Sequence, residues 1–191
     1  MTLPFPLLPL TPWHPPDPFP ELADLVIAPR YRELLASTDS LTRRLENLTG
    51  LPSRVRLEEQ TRSTTGAESG EPWDPDWLAT GSAPFLIRAA WLRLGELEMV
   101  FAHSRLSLAG MDPHVQQAIE VGDQPLGSLF LARDEQVERR HLQLSACRAP
   151  ALAERLGRNA DLPFILRRSL FLVAGQPRGR ILELFLTDLS R

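Results

Sequence analysis

Residues 163–189 read PFILRRSLFLV, then AGQPRG, then RILELFLTDL. Two apolar runs of strand length flank a short segment rich in Gly and Pro, the pattern of a hairpin. Strand side chains alternate between faces, so in the second run Ile181, Glu183 and Phe185 share one face and Leu182, Leu184 and Leu186 take the other. Both faces are apolar, so both are expected to be covered. The stretch therefore predicts an antiparallel pair, turning at 174–179, deep inside an α+β domain.

Working outward, the same pattern recurs. FLIRAAWLRL (85–94) and LEMVFAHSRL (97–106) form a second hairpin with a short turn around Gly95. RVRLEEQTR (54–62) and VERRHLQLSA (137–146) read as single strands. From Glu21 to about Leu48, leucines at three- and four-residue spacing indicate two helices, with Thr38, Asp39 and Ser40 as N-cap candidates between them. MDPHVQQAIEV is a helix capped by Asp112 with Pro113 in its first turn. PLGSLFLA (125–132) and APALAERLG (149–157) are short helical segments. The expected architecture is a single domain with about six antiparallel strands, spanning 21–191. Residues 1–20, rich in Pro and without periodicity, read as an extended arm laid on the surface by its Phe, Leu and Trp13. Residues 63–83 read as a loop, which Trp73 and Trp77 could anchor to the core.

Composition narrows the chemistry. The chain has 191 residues, 21 basic against 24 acidic, and every basic residue is Arg. Without Lys there is no Schiff base, no pyridoxal phosphate aldimine and no phosphate loop of the Walker type. Net charge −3 argues against nucleic acid as a partner. The single Cys147 cannot close an intrachain disulfide, which fits the cytoplasm. No apolar run approaches the roughly 20 residues of a membrane-spanning helix, and the amino terminus lacks the early basic residues of a signal peptide. The four histidines have no metal-ligand spacing, and no serine sits in a GxSxG elbow. Neither a metal nor a cofactor is expected.

Three charges stand on apolar strand faces. Arg88 shares its face with Leu86, Ala90 and Leu92; Arg105 shares its own with Phe101 and His103; Glu183 is flanked by Ile181 and Phe185. A buried charge must be paired, bound to a ligand or neutralised. The pattern fits a structural Arg–Glu pair as well as a pocket in which Arg grips a carboxylate and a carboxyl handles a proton. Of the adjacent pairs Arg139/Arg140 and Arg167/Arg168, one member each is expected to be solvated.

Five blocks resemble the chorismate lyase (chorismate pyruvate-lyase) family in order and spacing over about 150 residues. They are DSLTRRLENLTG (39–50), FLIR (85–88), HSRLSL (103–108), QPLGSLF (124–130) and RRSLFLVAGQPRGRILELFL (167–186). The resemblance implies elimination of pyruvate from chorismate to give 4-hydroxybenzoate, the precursor of ubiquinone or plastoquinone head groups, without metal or redox cofactor. It implies that Arg88 and the backbone N–H groups of Leu41 and Leu126 hold the ring carboxylate. Glu183 would face the C4 hydroxyl with a raised pKa, and Arg105 would serve the enolpyruvyl side. Helical flaps at 39–50 and 111–131 would close over a buried pocket in a monomer. The rival reading is a non-catalytic domain that binds a small carboxylate, because effector domains of some bacterial transcription regulators share this fold. A third is a related lyase releasing another hydroxybenzoate isomer.

Overall fold

In the computed structural model, which describes residues 3–64, 84–122, 124–131 and 136–186, the chain opens with a two-residue strand, β1 (Leu8–Pro9). Helices α1 (Pro29–Ala36) and α2 (Leu41–Thr49) follow, then strands β2 (Ser53–Ser63), β3 (Phe85–Leu94) and β4 (Leu97–Ser107). Helices α3 (Pro113–Val121) and α4 (Leu126–Leu131) lead into β5 (Val137–Arg148) and α5 (Pro150–Arg155). Strands β6 (Phe164–Val173) and β7 (Gln176–Phe185) close the fold. Of the loop expected over 63–83, Ser63 belongs to β2; its residues 65–83, with Trp73 and Trp77, and the strand end expected at 187–189 lie outside the described residues.

The strands form one antiparallel sheet of seven, in the order β1-β5-β6-β7-β4-β3-β2. The seventh strand comes from the Pro-rich arm. Leu8 and Pro9 pair with Arg148 and Cys147, and His14 exchanges backbone bonds with Leu144 at 2.9 and 2.8 Å. Pro is tolerated there because an edge position leaves its missing N–H without consequence. The arm does more than lie on the surface: Phe5 is 5% exposed and stacks 4.9 Å from Phe101.

Register shifts occur in four of the strand pairs, and those of the two hairpins decide how β3, β4, β6 and β7 share faces. In the β3–β4 hairpin, Arg93 pairs with Glu98 but Leu92 pairs with Val100, so Met99 is an extra residue. In the closing hairpin, Phe171 pairs with Gly179 but Leu172 pairs with Pro177, leaving Arg178 as the extra residue. The closing turn is correspondingly tighter than the six residues expected. Ala174 and Gly175 alone make it, both at positive φ, and the following residues belong to β7. Gly179 is required by close approach, since a Cβ there would lie 2.5 Å from the Arg105 carbonyl oxygen.

The helices divide between the faces. On one face α1 and α2 cover one end of the sheet through Leu34, Leu35, Leu41 and Leu45, while α3 and α4 cover the other through Val115, Ile119, Leu129 and Phe130. The opposite face packs Trp91, Phe101, Leu182 and Leu184 under α5 and the arm. The gap between the two helical pairs leaves a hollow over the middle of the sheet.

Candidate active site

Helix starts form the walls of this hollow. Ser40 caps α2 by accepting from the Arg43 N–H at 3.4 Å, as the Ser in that position predicts. Leu41 and Thr42 line the cavity, and as first-turn residues their N–H groups have no intrahelical acceptor. The start of α4 meets them: Pro125, Leu126 and Gly127 line the same cavity, and a Cβ on Gly127 would stand 3.5 Å from Ser40 Oγ. The cavity encloses about 80 Å³.

Its floor is the sheet. Arg88 on β3 pairs with Ser104 on β4, and Ser104 pairs with Ile181 on β7. One pair further along, Ala90 faces Ala102, which faces Glu183. Two alanines at the centre leave the space that a ring would fill. Arg88 and Glu183 thus lie on one face, two strands and two residues apart, roughly 12 Å between Cα atoms by strand geometry.

Arg88 is 2% exposed, and its Nη2 donates to the carbonyls of Gly122 at 2.8 Å and Gln124 at 3.1 Å. Those carbonyls precede α4 in the chain, so Arg88 anchors the approach to that helix and shares the cavity lining with Leu126. Glu183, also 2% exposed, accepts from Arg167 Nε at 2.6 Å and from Arg139 Nη2 at 2.8 Å. Arg139 Nη1 donates to Ser169 Oγ at 2.9 Å, and Arg167 Nη1 donates to the carbonyls of Leu34 and Ser37 at the end of α1.

The electrostatics of Glu183 differ from the sequence expectation. Burial pushes its carboxyl up, but the charges of Arg139 and Arg167 and their hydrogen bonds outweigh burial, and the pKa is held below the ordinary carboxylate value. Burial also draws the Arg139 guanidinium down, against the pull of Glu183. Glu183 is therefore an ionised acceptor, where a raised pKa was expected.

Arg105 is the second departure. It pairs with Ile87 and Arg180 and lies on the sheet face away from the cavity, 3.9 Å over the Phe85 ring. The Met99 bulge is the cause: without the extra residue the pairing would slip by one and Arg105 would share the face of Arg88. His103 shares that far face, its pKa lowered to about 4 by burial and then by nearby positive charge, including Arg180. The structure thus brings together Arg88, Glu183, Leu41 and Leu126, and separates Arg105 from them. It adds Arg139 and Arg167, which sequence reasoning passed over as members of adjacent Arg pairs. Arg168 is also buried, 4.3 Å over Trp13, so neither member of the Arg167/Arg168 pair is solvated, where one was expected to be.

Among the described residues no group of three His, Cys, Asp or Glu is gathered as a metal site. The polar side chains lining the cavity are the guanidiniums of Arg88 and Arg139, the Glu183 carboxylate and the hydroxyls of Thr42 and Ser104, and the two cations in that set suit an anion.

A family profile described as chorismate pyruvate-lyase Rv2949c-like matches residues 35–191. The chain belongs to this family. Among curated proteins, none matches the chain in sequence. Among solved structures, PhnF from Mycobacterium smegmatis superposes with a TM-score of 0.59 at 16% identity, covering 81% of this chain and 67% of that one. The effector domain of the same protein gives 0.53 at 16% identity, over 78% and 89%. A GntR-family transcriptional regulator from Enterococcus faecalis gives 0.51 at 11% identity, over 72% and 96%. At these identities the likeness concerns the fold. No helix among the described residues is long and apolar enough to cross a membrane.

Proposed function

We propose that the protein is a chorismate lyase, cleaving chorismate to 4-hydroxybenzoate and pyruvate for quinone biosynthesis. The observation that carries this reading is the shared cavity of Arg88 and Glu183: a guanidinium beside two helix starts at one end, an ionised carboxylate at the other, and small apolar side chains between. Chorismate carries its ring carboxylate and C4 hydroxyl at opposite ends of a six-membered ring, which matches that spacing. Arg88 and the N–H groups of Leu41 and Leu126 hold the ring carboxylate, and Glu183 receives the C4 end.

The reaction balances without an outside oxidant. The C3–O bond breaks, its electron pair leaving on the enolpyruvyl oxygen; the C4 proton departs and the ring becomes aromatic. The released enolate takes a proton and becomes pyruvate. Glu183 is suited to accept a hydrogen bond from the C4 hydroxyl, because two guanidiniums keep it charged; the same guanidiniums make it a weak base. The buried floor keeps water from the reactive diene.

Arg88→Ala and Glu183→Ala are expected to lower pyruvate release from chorismate by about a thousandfold or more, with circular dichroism reporting whether the fold survives. Near wild-type turnover in either sinks the site assignment. A ligand-binding domain without catalysis is the second reading. It is favoured by the double pinning of Glu183, which a structural ion-pair triad would also produce, and it predicts binding without turnover.

A further inference from the structure

We infer that Arg139 grips the second carboxylate of the ligand, the one on the enolpyruvyl arm; this rests on the lyase reading above. The enolpyruvyl ether is on C3, adjacent to C4. With the ring carboxylate at Arg88 and C4 at Glu183, the second carboxylate must fall at the Glu183 end of the cavity. Arg139 lines the cavity at that end, its Nη2 2.8 Å from Glu183 Oε1. Arg105 is on the other side of the sheet.

Charge and anchoring agree. Arg88, Arg139 and Arg167 against the one carboxylate of Glu183 leave a surplus of two positive charges around the cavity, which suits a dianion. Arg139 is held by Ser169 as well as by Glu183, so its planar fork is oriented before a ligand arrives. Arg167 has a different duty. It is fully buried, does not line the cavity, and is tied to the end of α1, so it keeps Glu183 in position when Arg139 turns part of its fork to the ligand. Arg139 is thus a substrate-binding residue and Arg167 a positioning residue.

The test compares a dicarboxylate with a monocarboxylate. Dissociation constants for chorismate and 4-hydroxybenzoate are measured by titration on the wild type, Arg139→Gln, Arg139→Lys and Arg105→Gln, with chorismate KM and kcat wherever turnover occurs. The expected result is that Arg139→Gln weakens chorismate by at least about tenfold while 4-hydroxybenzoate changes by less than about threefold, with Arg139→Lys between. Equal loss of both ligands in Arg139→Gln and Arg139→Lys, or no loss of either, overturns the assignment. So does a selective chorismate loss in Arg105→Gln with none in Arg139→Gln. Wild type that binds chorismate without releasing pyruvate removes the lyase reading but leaves the affinity ratio to decide on Arg139; wild type that binds neither ligand overturns both.

Discussion

Glu183 is an ionised carboxylate where burial alone would neutralise it, and the two guanidiniums that keep it charged depend on it in turn. Replacing it with a neutral isostere leaves Arg139 and Arg167 buried without a counter-charge. Glu183→Gln is therefore expected to cost about 3 kcal/mol of stability at neutral pH, read by urea unfolding; a loss below about 1 kcal/mol would show that the triad is not coupled as described. A second carboxylate gives a measurable pH dependence. Glu58 accepts from Arg155, Trp91 and Arg56, and its pKa is lowered to about 2 by the Arg155 hydrogen bond, against burial, with help from Trp91 and Arg56. A carboxyl with a lower pKa folded than unfolded stabilises the fold above the unfolded value, and that stability is lost as pH falls from about 4.5 towards 2. His103 works in the same direction earlier, because the unfolded chain takes up its proton near pH 6.5 and the folded chain only near 4. Stability is expected to decline from pH 6.5 downward and steepen below 4.5. Glu58→Gln should cost about 2 kcal/mol at neutral pH and flatten the lower limb of that profile.

At the scale of elements, bulges and close approaches decide the geometry. Gly179→Ala would drive a Cβ into the Arg105 carbonyl and Leu106, forcing β4 and β7 apart where Gly179 pairs with Leu106. A stability loss of about 2–3 kcal/mol is expected, with an unchanged Tm as the contrary result. The same elements explain what could be read from the sequence. Strand and helix periods placed nearly every element, including the Ser40 and Asp112 caps, because those patterns are local. Face sharing between strands is not local: it depends on register, and a one-residue bulge reverses it. At Met99 that reversal sent Arg105 to the far face. At Arg178 and the two-residue turn it set Arg167 opposite Glu183, where a six-residue turn would have put it near Leu186. Arg88 and Glu183 were legible because a charge on an apolar face is conspicuous; Arg139 and Arg167 were not, because each sits beside another Arg.

For the whole molecule, one sheet face is given to the cavity and the other to stability. The arm seals the second face through Phe5 and its pairing with β5. Phe5→Ala is expected to cost about 3 kcal/mol while leaving chorismate turnover per folded molecule unchanged; a kcat loss would mean that the arm reaches the site. The cavity, two helix starts above a sheet floor with Arg88 at one end and the Glu183–Arg139 pair at the other, is the basis of the lyase reading, and the fold it shares with regulator effector domains makes activity the deciding question. Incubating the purified protein with chorismate, following pyruvate and resolving hydroxybenzoate isomers by chromatography, answers it. Pyruvate and 4-hydroxybenzoate are expected in equal amounts; chorismate that binds but yields no aromatic product rules the lyase reading out.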